Sequence, residues 1–243
     1  MQHDVLDWDS AFFGVKVARL NDPGLSDPQL SEALAALRAD GVRLVYWHAD
    51  RPRDADVIGR LGGHLADRKV TYVMDVRGHA GVNGALEVPE CPDGLVEPHA
   101  PSMPLQDLES LAIQSGEHSR FALDPNIPRE AFIGLYTRWI HRAIGQDMAQ
   151  EVLVIRAGER VVAMVTLGVK NGRGDIGLLA VDQHHRGLHH GERLLQAARG
   201  WFQQAGVELA QVVTQGANVP ACRLYEKCGY TVETVQHVHH FWL

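Results

Sequence analysis

Between residues 174 and 193 the chain reads GDIGLLAVDQHHRGLHHGER, an apolar run that feeds a polar, glycine-bearing loop. A helix-compatible segment holding Leu194, Leu195, Ala198, Trp201 and Phe202 follows. A strand, a glycine loop and a helix start in that order form a device for holding an anion. The N–H groups of a first helical turn have no partner within the helix, and the helix dipole adds attraction for negative charge. Where backbone must approach the ligand closely, side chains have to be small or missing, and Gly187 and Gly191 supply such points. The loop lacks the Gly-Lys-Ser/Thr ending of a triphosphate loop and the full three-glycine dinucleotide pattern, so neither of the two commonest phosphate fingerprints is present.

A second block lies downstream: Asn218, Ala221, Leu224, Tyr225, Gly229 and Tyr230. On a helix over residues 218–227, Ala221, Leu224 and Tyr225 share a face, which lets a tyrosine hydroxyl point at whatever packs there. Taken alone, Tyr225 reads as an amphipathic core residue, and it is the upstream loop that turns the reading toward function.

The two blocks in this order resemble the GNAT superfamily of acyl-CoA-dependent N-acetyltransferases. There a strand ending like Leu179-Ala180-Val181 precedes Gln/Arg-x-x-Gly-x-Gly/Ala, matched here by Arg186 and Gly191, and an Asn-x-x-Ala-x-x-Leu-Tyr-x-x-x-Gly-Phe/Tyr block follows. One position departs from the pattern: His189 stands where the family has its middle glycine. The resemblance implies an α/β (α+β) fold with a mixed, largely antiparallel central sheet, and acetyl-CoA as co-substrate. Leu179, Ala180, Val181, Arg186, Gly187, Leu188, His189, His190, Gly191, Glu192 and Asn218 are then the expected cofactor-binding residues. Tyr225 is the expected catalytic residue, a general acid for the departing thiolate, since a phenol with a reference pKa of ~10 is protonated at neutral pH.

At 243 residues the chain can bury a substantial core as one large or two small domains. Its 45% apolar and 22% charged content is that of an ordinary globular protein, and a formal charge of -7 disfavours sequence-independent binding to nucleic acid or an anionic membrane. The N-terminus has no apolar leader and no apolar run reaches the ~20 residues of a membrane span, which gives a cytoplasmic expectation. Cys91, Cys222 and Cys228 form no disulfide framework or metal knuckle.

In chain order, DWDSAFFGVKVARL reads as a turn at Asp9-Ser10 leading into a strand, and Asp27-Pro28 as the start of a helix that Gly41 stops. Residues 42–47 and 70–76 read as strands, with a short helix at 54–61 between them. The Pro/Gly-rich stretch 81–104 reads as a linker, dividing an N-terminal αβ domain (1–80) from an acetyltransferase domain (105–243). Past it come helices at 105–115 and 129–144 with an ordered loop at 119–128, then strands at 152–156 and 161–169, the cofactor strand and helix, and a strand at 209–214. The tyrosine helix and two terminal strand segments, around 230–235 and 238–243, complete the chain. Val57, Leu61, Gly62 and Leu65 overlay Leu224, Cys228, Gly229 and Val232 by one constant shift. This echo leaves room for an N-terminal part that is a degenerate half of the same fold.

A closer resemblance rests on WDSAFFGVKV, SGEHSRFALDPNIP and FIGLYTRWI, which are similar to the dTDP-fucosamine acetyltransferases of bacterial surface-polysaccharide synthesis. It implies acetyl transfer to the 4-amino group of a dTDP-linked amino-deoxysugar. Ser119, Arg120 and Phe121 become the expected substrate-binding residues, a guanidinium suiting a diphosphate and an aromatic ring a base or sugar. The partner expected is thus a small-molecule amine, with a homodimer left open.

Amine acetylation also needs a way to remove a proton, and Glu117, His118 and Asp175 are chemically able to take it, as is water. His184, His185, His189 and His190, and again His237, His239 and His240, lack companion Cys or carboxylate ligands at metal spacing. They are read as phosphate donors or solvent-facing residues, and no metal is expected. Two alternatives stay open: acetylation of a protein N-terminus or another small amine, and non-catalytic acyl-CoA binding.

Overall fold

The computed structural model describes residues 2–77 and 95–243, so most of the expected linker, Cys91 included, lies outside the described residues. The elements run β1 His3–Val5, α1 Asp7–Phe13, β2 Val17–Leu20, α2 Asp27–Ala39, β3 Leu44–Ala49, α3 Ala55–Arg60, β4 Gly63–Asp75 and β5 Val96–Pro98. Then come α4 Leu105–Ser115, α5 Arg120–Leu123, α6 Arg129–Ile144, β6 Glu151–Ala157, β7 Arg160–Lys170 and β8 Arg173–Val181. A 3-10 turn Gln183–His185 leads to α7 His190–Gln204, β9 Leu209–Gln215, α8 Val219–Lys227 and β10 Thr231–Trp242. No helix among the described residues is long and apolar enough to cross a membrane.

The chain divides into two compact units, the first made of residues up to Val70 with Gln215–Ala217 and Thr234–Leu243. Its strands follow the order β1-β2-β3-β10-β4. β2 and β3 are parallel, and β10 runs antiparallel to β3 from His237↔Ala49 to Trp242↔Leu44. Leu30, Ala33, Leu34 and Leu37 recur at helical spacing on α2 and pack against Leu20, Val45, Trp47 and Phe241. Each such leucine removed from water contributes about 1.5–3 kcal/mol. At the helix entry the Ser26 N–H donates to Gln29 Oε1 at 2.9 Å. α3 starts at Asp54, whose carboxylate accepts from the amides of Asp56 and Val57.

Two expectations change in this unit. Asp9 and Ser10 are not a turn but part of α1, whose Ser10 hydroxyl donates to Leu6 O while accepting from Val17 N; Gly14, at φ 69°, ends the helix. The C-terminal segments form one strand, β10, instead of two. Its His239 and His240 are buried and do not face solvent.

The second unit spans Thr71–Thr214 and Asn218–Glu233. Its strand order is β4-β9-β8-β7-β6-β5, antiparallel from β5 through β8 and parallel between β8 and β9. The sheets are thus mixed and largely antiparallel. Helix α4 lies on β7 and β8, α6 on α4 and β6, and α7 on β7 and β8. The buried Asp107 pins α4 to the β6–β7 hairpin by accepting from Val161 N at 2.9 Å and Arg160 Nε at 2.7 Å. At the other end of α4 the Tyr136 ring fills the space that a Cβ on Gly116 would need. Residues 119–128, expected as loop, contain the four-residue α5, with the Ser119 side chain accepting from Ala122 N.

The succession β2, α2, β3, α3, Gly62, β4 recurs as β8, α7, β9, α8, Gly229, β10. Both first strands are parallel to the strand after their helix. Gly62 and Gly229 occupy the same left-handed conformation, at φ 79° and 88°. The echo in sequence is therefore a repeat of element order, carried by a helix, a glycine and a strand in each copy.

Candidate active site

The site is built on β8. A register irregularity between Val165 and Leu167 puts Gly177 and Leu178 opposite Thr166, whose Oγ1 accepts the Leu178 N–H at 2.8 Å. Gly177 is required there, because a Cβ would lie 2.8 Å from that hydroxyl. On its other edge β8 pairs with β9 only from Gly174↔Ala210 to Ile176↔Val212. Leu179, Ala180 and Val181 continue past this pairing, leaving an edge of backbone donors and acceptors that an extended ligand arm can join as a strand would.

At the end of β8 the Asp182 carboxylate starts the 3-10 turn by accepting from His184 N at 3.0 Å, and it also accepts from His185 Nδ1 at 3.0 Å. Burial works to raise its pKa, but the donors His185, Gln114 and the His184 amide prevail and hold it at about 2. Arg186 folds back so that its Nε donates to Val181 O at 3.2 Å. Gly187 and His189 both take left-handed backbone, at φ 82° and 60°. The departure at His189 thus falls on a conformation that glycine adopts without cost and that histidine tolerates better than most residues. Its imidazole is turned aside, with Nδ1 2.9 Å from Glu192 Oε1.

A cleft of about 370 Å³ opens above this loop. Its walls bring together Leu179, Ala180, Val181, Arg186, Gly187, His189, His190, Gly191, Glu192 and Asn218. Leu188 is outside that lining and exposed. Gly191 lets α8 close on the start of α7, since a Cβ there would sit 2.8 Å from Leu224 Cδ2. Asn218 caps α8, its Oδ1 accepting from Ala221 N at 3.2 Å. Glu192 places a carboxylate in the first turn of α7, where Lys227 Nζ reaches it at 2.6 Å. Burial raises the Glu192 pKa, but Lys227 and His189 outweigh it and keep the group below the usual carboxylate range. The strand edge and the helix-start amides suit a pantetheine arm and a diphosphate respectively, so the residues present fit acetyl-CoA.

Glu117 and His118 reach the cleft from the turn after α4. Asp175 lies on the paired part of β8, accepting from Gln211 Nε2 at 2.8 Å, and is not on the wall. Tyr225 is 5% exposed and packs on Tyr72 and Tyr230, with ring centroids 5.7 and 5.9 Å away, while its neighbour Leu224 lines the cleft. Burial pushes its phenol up, so the group stays protonated. Ser119, Arg120 and Phe121 also lie off the wall: Ser119 caps α5, Phe121 meets Trp139 edge-on, and the Arg120 guanidinium covers the Phe121 ring at 4.5 Å. Gln114 and Asp182 escaped the sequence reading; neither belongs to a motif, and their contact joins residues far apart in the chain.

The profile of the Acetyltransferase (GNAT) family matches residues 110–230. A mycothiol acetyltransferase from Sanguibacter keddieii is 28% identical over 234 residues, spanning 87% of this chain and 68% of that protein. The spore coat polysaccharide biosynthesis protein SpsD of Bacillus subtilis is 27% identical over 135 residues, 54% of this chain and 45% of its own. The crystal structure of a GCN5-related N-acetyltransferase from Sphaerobacter thermophilus superposes with a TM-score of 0.63 at 17% identity, covering 99% of this chain and 76% of that one.

Proposed function

Because this chain is an acyl-CoA-dependent acetyltransferase of the GNAT family, we propose that it moves the acetyl group of acetyl-CoA to the 4-amino group of a dTDP-linked amino-deoxysugar. The observation that carries the reaction is the cleft itself, where the unpaired end of β8 and the glycine loop face Glu117 and His118. In this reading the helix-start amides of residues 187–192 hold the pyrophosphate, and the backbone of Leu179, Ala180 and Val181 lines up the pantetheine and polarises the thioester carbonyl. Glu117 or His118 takes the proton from the attacking amine, directly or through a water. Tyr225, buried and off the cleft wall, is assigned the proton for the leaving sulfur by the resemblance alone. Arg120 is assigned to the diphosphate of the acceptor by the resemblance alone, since its guanidinium covers the Phe121 ring off the cleft wall. The nucleotide sugar is supported by the WDSAFFGVKV and SGEHSRFALDPNIP stretches and by the likeness to a polysaccharide biosynthesis protein.

A second acceptor is favoured by the longer alignment with the mycothiol acetyltransferase, namely an amine of the mycothiol kind. Free thiol released from acetyl-CoA, measured with each acceptor in turn, separates the two. Turnover with the dTDP-4-amino sugar and none with the mycothiol-type amine is the expected result. The reverse pattern overturns the sugar assignment and leaves the acetyl transfer standing.

A further inference from the structure

Gln114, in the last turn of α4, makes two opposite hydrogen bonds to the start of the phosphate loop. Its Nε2 donates to Asp182 Oδ2 at 3.2 Å, and its Oε1 accepts from the Gln183 N–H at 3.0 Å. The other oxygen of Asp182 is committed to the 3-10 turn, accepting from His184 N and His185 Nδ1. One amide and one carboxylate therefore tie the helix that delivers Glu117 and His118 to the loop that follows the cofactor strand. Gln114, Glu117 and His118 all line the same cleft as the loop.

We propose that Gln114 and Asp182 are a positioning pair that couples occupancy of the phosphate loop to the placement of the turn carrying Glu117 and His118. The inference rests on the assignment of the loop to acetyl-CoA and is independent of which amine is the acceptor. Ordering of the loop by a bound diphosphate fixes Asp182 and Gln183, and through them both polar atoms of Gln114. The C-terminal turn of α4 is already held on its far side by Tyr136 against Gly116, so a bond on the loop side leaves the turn one position. Such a pair touches neither reacting atom.

The hydrogen-bond polarity of the pair gives it a specific test. In Asp182→Asn, the introduced amide must keep its oxygen toward His184 and His185, which turns its NH₂ toward the NH₂ of Gln114. Flipping Gln114 only moves the mismatch to the Gln183 N–H. In Gln114→Glu, two carboxylates face each other. Combining Gln114→Glu with Asp182→Asn restores every donor to an acceptor, because the NH₂ gained at position 182 now donates to the carboxylate gained at position 114.

The experiment measures acetyl-CoA affinity by calorimetry, and amide hydrogen exchange over residues 112–118 with and without acetyl-CoA, in the wild type, both single variants and the double. In the wild type, acetyl-CoA is expected to slow exchange in this turn roughly 10-fold, an effect both single variants lose while binding roughly 10-fold more weakly. The double variant is expected to regain both properties. A purely structural bond would be rescued in the double variant too, but it would leave exchange in this turn of the wild type unchanged by acetyl-CoA, and that result overturns the coupling. Single variants that match the wild type, or a double no better than its parents, overturn the coupling alone. A wild-type chain that does not bind acetyl-CoA overturns the loop assignment, and the coupling with it.

Discussion

Glu192 Oε1 sits 2.6 Å from Lys227 Nζ, so an ammonium on α8 neutralises a carboxylate lodged in the first turn of α7. That carboxylate side chain is only 11% exposed and faces the place assigned to the cofactor's diphosphate. Removing the ammonium leaves like charges side by side, and the weak screening of partly buried charges makes this costly. Lys227→Ala is expected to weaken acetyl-CoA binding about 5- to 20-fold by calorimetry. Adding Glu192→Gln to it should recover most of the loss, and a double variant as weak as Lys227→Ala contradicts the argument.

His189 carries the left-handed backbone that the loop demands, at φ 60°. His189→Gly removes the steric cost of that conformation but also the imidazole bond to Glu192. The expected result is a melting temperature within a few degrees of wild type and acetyl-CoA affinity within about threefold, because the proposed diphosphate site is made of backbone amides and not of this imidazole. His189→Val, β-branched at positive φ, should cost about 1–3 kcal/mol in chemical denaturation.

Tyr225→Phe keeps the ring that packs between Tyr72 and Tyr230 and removes only the hydroxyl. If that hydroxyl protonates the leaving thiolate, kcat falls by roughly 10²-fold or more while acetyl-CoA affinity holds. A wild-type kcat, with the chemical step shown to limit the rate, would remove Tyr225 from the reaction and leave solvent as the proton source.

How much of this was readable from the sequence depends on how local each cause is. The bounds of α4 and α6 follow from apolar spacing and from Pro104, Gly116, Pro128 and Gly145 at their ends, all neighbours in sequence. The course of the loop from Arg186 to Glu192 was legible for the same reason, as Gly187 marks where its backbone turns left-handed. Helix α1 was not, because Ser10 bonds to Leu6 O and receives Val17 N, so its fate depends on a strand that follows it. The burial of His239 and His240 depends on pairing with Trp47 and Tyr46 on β3, most of the chain away. Gln114 and Asp182 are of ordinary residue type, and only the fold brings them together.

His239 gives a pH prediction for the first unit. It is 2% exposed and packed on the Trp47 ring; burial first, with the neighbouring charges of His237, Arg53 and His64 adding to it, overcomes a bond involving the His237 backbone and pushes its pKa down to about 4. The unfolded chain binds this proton near pH 6.5 and the folded chain does not until about pH 4, so stability falls as pH drops through that window. The loss from this one group is on the order of 2–3 kcal/mol. Melting curves between pH 7.5 and 4.5 should therefore flatten in His239→Phe relative to wild type, and an unchanged slope excludes His239 as the cause.

The two copies of the strand, helix, strand, helix, glycine and strand succession differ most where the first strand meets its helix. In the later copy that junction is the loop with its amides open to the cleft. In the earlier one α2 begins with its Ser26 N–H already bonded to Gln29, and Asp22 Oδ1 accepts the Gly24 N–H. A phosphate arriving there would meet donors already in use. The stoichiometry follows: calorimetric titration should saturate at one acetyl-CoA per chain, and a second equivalent would mean that the earlier run of this element order also handles the donor.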